Sequence, residues 1–123
     1  MKKIMGFFLF ITLFLMSANL VFAEIEYPEG LGKEIRHYPH SKIIQTLDVT
    51  GTTMVILQIT DRFSAVLDFY KKELNKREWK IITEKKQKKE FTILAEKGSN
   101  SVVIDVGPDK TGGSMVNITM TPR

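Results

Sequence analysis

The chain has 123 residues, and its 18 lysines and arginines against 14 aspartates and glutamates give a formal net charge of +4 at pH 7. This length suits one domain, and so small a positive excess does not argue for nucleic-acid binding. The sequence contains no cysteine, which excludes thiol catalysis, disulfides and a lipid-bearing cysteine, so packing alone must stabilise the fold.

The first 23 residues, "MKKIMGFFLFITLFLMSANLVFA", have the three parts of a secretory signal peptide. A basic start precedes the apolar run Ile4–Met16, and Val21 and Ala23 occupy the positions that a signal peptidase reads. We therefore predict cleavage between Ala23 and Glu24 and export of the product to the periplasm or the cell exterior. The alternative is an uncleaved membrane anchor, because residues 4–23 are long enough to cross a bilayer.

Residues 24–41 contain two prolines and two glycines and show no sustained periodicity. We interpret them as an irregular lead-in with room for one short extended piece over Lys33–Tyr38. The remaining residues, 42–123, are expected to form a single α+β domain.

The stretch "KIIQTLDVTGTTMVILQIT" predicts a β-hairpin, because two runs rich in β-branched residues are separated by a turn at Thr50–Thr52. Apolar and polar residues alternate in both runs. The alternating apolar positions are Ile43, Leu47 and Val49 in the first strand, and Val55, Leu57 and Ile59 in the second.

The next stretch, "TDRFSAVLDFYKKELNKREW", predicts a helix whose first free N–H groups are capped by Thr60 or Asp61. Its apolar stripe consists of Phe63, Val66, Leu67, Tyr70 and Leu74. Its charged residues are expected to lie mainly away from that stripe; they are Lys71, Lys72, Glu73, Lys76 and Arg77. Trp79 follows the helix, and we expect its ring to close the seam between helix and sheet.

Four further strands are predicted, separated by the basic turn "KKQKK", the turn "GSN" and the loop "GPDKTGG". They cover Trp79–Glu84, Glu90–Glu96, Ser101–Val106 and Ser114–Thr121. The order ββαββββ with short turns predicts an α+β fold, in which one amphipathic helix packs on one face of an antiparallel sheet of five or six strands.

The face of the sheet away from the helix is expected to carry a second apolar set. If Val55, Ile81, Ile93 and Ile104 face the helix, the residues facing away are Met54, Ile56, Ile82, Leu94 and Val103. A half-solvated antiparallel sheet is normally polar on its outer face. The pattern therefore indicates a covered face, with the lead-in, a second copy of the chain or another protein as the cover.

The densest charge cluster is "EKKQKKE", which contains Lys85, Lys86, Lys88 and Lys89. It is either a solvated turn or a contact site for anionic headgroups or envelope polymers. No aromatic residues are interleaved with these lysines, so single-stranded nucleic acid is not an expected partner.

No pattern in the sequence indicates catalysis or a cofactor. The loop "GPDKTGGS" nearly fits a phosphate-binding loop, but Gly113 stands where the lysine is needed, and a strand follows instead of a helix. His37 and His40 have only Glu34 nearby as a further ligand, which is too few for a metal site. No nucleophile and base stand in a known arrangement, so we predict a protein that is not an enzyme.

The segment from "YPHSKII" through "TDRFSAVLDFYKKELNKREWKI" resembles a pattern of small exported bacterial proteins of uncharacterised function. The matching residues are Tyr38, Pro39, Phe69, Tyr70, Lys71, Leu74 and Trp79. Glu78 differs, because such sequences commonly carry glycine there. The layout also resembles the helix-on-sheet domains of outer-membrane assembly lipoproteins such as BamC. The resemblance implies an exported envelope domain and brings no catalytic residues.

Two functions are expected from these observations. The first is a non-catalytic, exported envelope module that binds or scaffolds a protein, either an envelope protein or a second copy of the chain. The alternative is a module that binds a small ligand or an anionic envelope surface, using the cleft between helix and sheet or the lysine-rich hairpin.

Overall fold

A computed structural model describes residues 25–123, so the predicted signal peptide and its cleavage site lie outside the described residues. Six strands form one antiparallel sheet in the order β1-β2-β6-β5-β4-β3, and a helix packs on one face, which confirms the predicted α+β fold. In chain order the elements are α1 (Glu29–Gly32), β1 (Lys42–Val49), β2 (Thr52–Ile59), α2 (Phe63–Lys76), β3 (Lys80–Gln87), β4 (Glu90–Lys97), β5 (Asn100–Pro108) and β6 (Ser114–Pro122).

Three tight hairpins turn on two residues each, and the one between β4 and β5 uses Gly98 and Ser99. Thr50 and Gly51 join β1 to β2 with φ angles of 50° and 83°, the left-handed pair that matches the twist of adjacent strands. Lys88 and Lys89 join β3 to β4, and Lys88 has a φ of 41°. The predicted turn "KKQKK" is therefore too long, because its first three residues belong to β3.

A bulge in β1 changes which side chains share a face. The register shifts between Ile43 and Gln45, so Ile43 pairs with Leu57 on the helix side, whereas Leu47 pairs with Met54 on the opposite side. The sequence prediction that Ile43, Leu47 and Val49 share one face is therefore wrong. One extra residue in an edge strand inverts the faces of all positions beyond it.

The core lies between the sheet and α2. Three helical side chains, Val66, Tyr70 and Leu74, are fully buried against it. The predicted helix-facing set is confirmed for Val55, Ile93 and Ile104, which are fully buried, and Ile81 packs partly buried at the margin. Other buried sheet residues are Leu57, Ile59, Ala95, Val102, Val106, Val116 and Ile118. Side chains therefore fill the space between helix and sheet.

The lead-in is part of this core. It contains the one-turn helix α1 and no strand, and it buries Leu31, Ile35 and Tyr38 in the hydrophobic cluster on the side of α2. Trp79 is also buried, and its Nε1–H donates to the backbone oxygen of Glu34 at 3.1 Å. The predicted role of Trp79 at the seam is confirmed, and the lead-in lies on the helix side of the sheet.

Both ends of α2 differ from what propensity rules predict. The residue at the N-cap is Arg62, which makes no side-chain cap, and Asp61 instead accepts a hydrogen bond from the Tyr38 hydroxyl at 2.5 Å. At the other end Glu78 has a φ of 64°, and the Trp79 N–H donates to the oxygen of Leu74 at 2.9 Å. This is the left-handed C-terminal motif that glycine usually fills.

Glu73 is buried, although the sequence placed it among charges that lie away from the apolar stripe. Its Oε2 accepts hydrogen bonds from the backbone N–H of Arg36 at 2.8 Å and from Nε–H of Arg77 at 3.1 Å. A buried carboxylate needs such donors, because an unpaired one is costly to desolvate. Glu73 therefore fastens the lead-in to α2.

Tyr70 and Tyr38 lie beside each other with opposite hydrogen-bonding states. The Tyr70 hydroxyl is buried and has no hydrogen-bond partner among residues 25–123, whereas the Tyr38 hydroxyl donates to Asp61. Burial is the main cause that raises the pKa of both side chains, and for Tyr38, where Asp61 adds to it, the pKa reaches about 12. Both hydroxyls therefore stay protonated at neutral pH.

We expect Tyr70→Phe to stabilise the protein by about 1 kcal/mol, because it removes a buried hydroxyl that lacks a partner. Tyr38→Phe is the matched variant and should destabilise by about 1 kcal/mol, since a hydrogen bond to a carboxylate is lost. Urea unfolding of both variants measures the two changes. A loss of stability in Tyr70→Phe would show that its hydroxyl has a partner in solution.

Candidate interaction surfaces

An apolar row crosses the outer face of the sheet, the face opposite α2. The register aligns Leu47, Met54, Thr119, Val103 and Leu94, one residue each from β1, β2, β6, β5 and β4. Apart from Thr119 the members are apolar, and they are half-buried except for Leu47, which is exposed. We call these five residues the outer row.

The structure divides the predicted second apolar set. Met54, Leu94 and Val103 belong to the outer row, and Ile56 lies in the neighbouring row, where its partner across β6 is Asn117. Ile82 is at the bulge of β3, at the other edge of the sheet. The sequence missed Leu47, because the β1 bulge that turns it to this face leaves no signal in composition.

The row that contains Ile56 is mainly polar and forms the floor of a groove of about 470 Å³ on the outer face. Asp105 pairs with Asn117, and the Thr92 hydroxyl donates to Asp105 at 2.6 Å. These partners satisfy part of the polar row within the sheet itself. The outer face is therefore apolar along one row and polar along the next.

The two edge strands differ in their exposed side chains. On β1, Ile44, Leu47 and Val49 are 40%, 48% and 52% exposed, and they are three of the five large exposed hydrophobic residues of the described chain. On β3 the exposed side chains are mostly charged, and Ile82, at 43%, is its one large exposed hydrophobic residue. Charged side chains, lysine above all, protect a free edge from pairing with another strand, so β1 is the less protected edge.

The lysines of the β3–β4 hairpin surround a second groove. Lys86, Lys88 and Lys89 line it together with Phe63 and Pro108, and its volume is about 400 Å³. Lys85 pairs with Thr92 and lies on the outer face, so it does not join the other three.

The cations that form ion pairs lie elsewhere in the described part of the chain. The pairs are Lys71–Glu84, Arg77–Glu73, Lys97–Glu34 and Arg123–Glu96. The hairpin lysines take part in none of these four pairs. Their charge is therefore left for a partner or for solvent.

The two histidines differ in how far they are buried. His37 is half-buried and stacks on Tyr27 with ring centroids 4.6 Å apart, and burial lowers its pKa, so it is neutral at pH 7. His40 is exposed in a turn with a φ of 62°.

Residues 25–123 contain no group of three or more histidines or carboxylates placed to hold a metal ion. Among the same residues, no helix is long and apolar enough to span a membrane.

No curated protein and no solved structure matches the chain. A family model described as START domain-like matches residues 43–121, which is more than half of the chain and runs from β1 to β6, short of the sheet by one residue at each end. The chain therefore belongs to the START domain-like family.

Proposed function

We propose that this protein is an exported, non-catalytic envelope domain that binds another protein through β1 and the adjoining outer row. The single observation that carries the proposal is the contrast between the two sheet edges. The signal-like residues 1–23 and the Tyr-Pro pattern support its placement in the envelope.

The mode of binding follows from the geometry of the edge. A free edge strand presents unpaired backbone N–H and C=O groups, to which an extended segment of a partner can add as a further strand. The outer row begins at Leu47 on this edge and continues into the face, so it offers apolar contacts beside the added strand. The partner is therefore expected to present an extended segment with apolar side chains on one face.

The test compares one charge substitution on each edge. Leu47→Lys on β1 should abolish complex formation with the partner, and Ile82→Lys on β3 should leave it intact, because Ile82 lies on the opposite edge of the sheet. The two residues are similarly exposed, so the variants are matched. Both should change the free energy of unfolding by less than about 0.5 kcal/mol, as exposed substitutions usually do. Size-exclusion chromatography of native envelope extracts measures how much of each variant is in the complex.

Two outcomes would contradict this proposal. Equal loss in both variants would show that binding does not depend on the β1 edge. A dimer of the purified protein that Leu47→Lys dissociates, observed by size-exclusion chromatography with light scattering, would assign the edge to a second copy of the chain.

The second candidate function is binding of a ligand or surface that carries negative charge. Membership of the START domain-like family favours a fold of the ligand-binding type. Because Val66, Tyr70 and Leu74 fill the space under α2, such a site is expected outside the core. The groove lined by Lys86, Lys88 and Lys89 is the observation that favours this candidate.

A further inference from the structure

We propose that the end of the domain formed by the β3–β4 hairpin binds a membrane surface rich in anionic phospholipid headgroups. The contact residues are Lys86, Lys88 and Lys89 together with the neighbouring Phe63 and Pro108, which we call the basic end. This lipid-surface site rests on the second proposed function and is independent of the β1 edge.

The basic end keeps an excess of positive charge when the nearby carboxylates are counted. Glu84 pairs with Lys71 at 3.1 Å, whereas Asp109 keeps its negative charge, because its hydrogen bonds from Gln58 at 3.0 Å and from Thr111 at 2.6 Å come from neutral groups. Glu90 is the carboxylate next to the turn in sequence. Three lysines at one hairpin tip therefore present an excess of positive charge toward solvent.

The opposite end of the sheet provides the comparison within the same molecule. There Lys97 pairs with Glu34 and Arg123 pairs with Glu96, each at 3.0 Å. Cations at that end are neutralised by the chain itself, whereas those of the basic end are not. The two ends of the domain therefore differ in net charge, and this difference would orient the domain on a negatively charged surface.

The chemistry of the basic end suits a surface better than a single small anion. Lysine ammonium groups are flexible point charges, whereas tight recognition of one phosphate normally uses arginine forks or converging backbone N–H groups. Phe63 is half-buried and Pro108 is exposed beside the ammonium groups, so apolar and cationic contacts lie side by side. That combination matches the headgroup region of a bilayer, where lysine stems contact apolar groups and their charges contact phosphates.

The test measures partition of the full chain onto phosphatidylcholine vesicles with an increasing fraction of phosphatidylglycerol. The test variant is Lys86→Gln/Lys88→Gln/Lys89→Gln. The control is Lys33→Gln/Lys72→Gln/Lys76→Gln, which removes the same charge from exposed lysines of the lead-in and α2. All chains share residues 1–24, so any membrane affinity of that segment is common to them.

We expect the test variant to lose on the order of a hundredfold in partition, because each lysine near an anionic surface contributes roughly fivefold. The control should change by less than about threefold, and the wild-type affinity should fall steeply as salt rises. Both variants should unfold at the wild-type temperature, since their sites are exposed.

Three results would overturn the lipid-surface site. The first is equal loss in both triple variants, which would show attraction by net charge alone. The second is no loss in either. The third is binding of soluble polyphosphate as strong as that of vesicles, which would retain the second proposed function but assign the basic end to a free phosphate polymer. The Leu47→Lys variant should bind vesicles like wild type, so failure of the protein-binding proposal is distinguished from failure here.

Discussion

Gly113→Ala is expected to destabilise the protein by about 3 kcal/mol or more, because the added methyl group would collide with backbone that cannot move aside. A Cβ at this position would overlap the carbonyl oxygen of Ile59 and lie 3.0 Å from Cα of Thr60. The approach is close because the β5–β6 loop returns against the end of β2, where Ser114 pairs with Ile59 and donates to the oxygen of Asp61 at 2.9 Å.

The adjacent glycine provides the control. A Cβ at Gly112 meets no atom within 4 Å, but its φ of 97° is unfavourable for alanine, so Gly112→Ala should cost only about 1 kcal/mol. Urea unfolding of the full chain measures both variants. If Gly113→Ala costs no more than Gly112→Ala, the close approach of the loop to β2 is not present in solution.

Glu73→Ala is expected to destabilise the protein by about 2–3 kcal/mol, because it leaves the Arg36 N–H without its acceptor and Arg77 without its ionic partner. Glu73→Gln should cost less, since the amide oxygen can still accept from Arg36. The lead-in should also open more often, so amide hydrogen exchange at Arg36 should accelerate in Glu73→Ala.

The control for Glu73 is Asp68→Ala, which removes a carboxylate from the exposed face of the same helix. It should change the free energy of unfolding by less than about 0.5 kcal/mol. Equal effects of the two substitutions would mean that Glu73 does not fasten the lead-in to α2.

The elements predicted from sequence are those whose signal is local. Alternation at Val55, Leu57 and Ile59 identifies a strand, and the spacing of Val66, Tyr70 and Leu74 identifies α2, because each pattern has the period of its own element. The three helical residues are fully buried, and Val55 and Leu57 are buried with them. The layout of one helix on an antiparallel sheet follows from these periods.

The features that the sequence did not reveal depend on partners distant along the chain. Glu73 can be buried because the backbone N–H of Arg36, 37 residues away, donates a hydrogen bond to its carboxylate. Gly113 is needed because Ile59 passes close to it, and the sequence showed only a glycine-rich loop. The β1 bulge has no characteristic residue, so the position of Leu47 at the head of the outer row could not be predicted.

The same limit applies to the candidate surfaces. Composition and alternation identified the lysine cluster and three of the five members of the outer row, which are Met54, Val103 and Leu94. Which lysines share a groove, and which residues share a row, depends on register and on hairpin geometry. Ile82 shows this clearly, because it lies at the β3 bulge, and its neighbour Thr83 takes the place opposite Leu94 of the outer row.

The most direct test of the protein-binding proposal is site-specific photo-crosslinking in the cells that make the protein. A photoreactive residue replaces Leu47 in one strain and Ile82 in another, positions with exposed fractions of 48% and 43%. We expect a discrete adduct with a different envelope protein from position 47 and none from position 82. No adduct at position 47, or the same adducts at both positions, would contradict binding through the β1 edge.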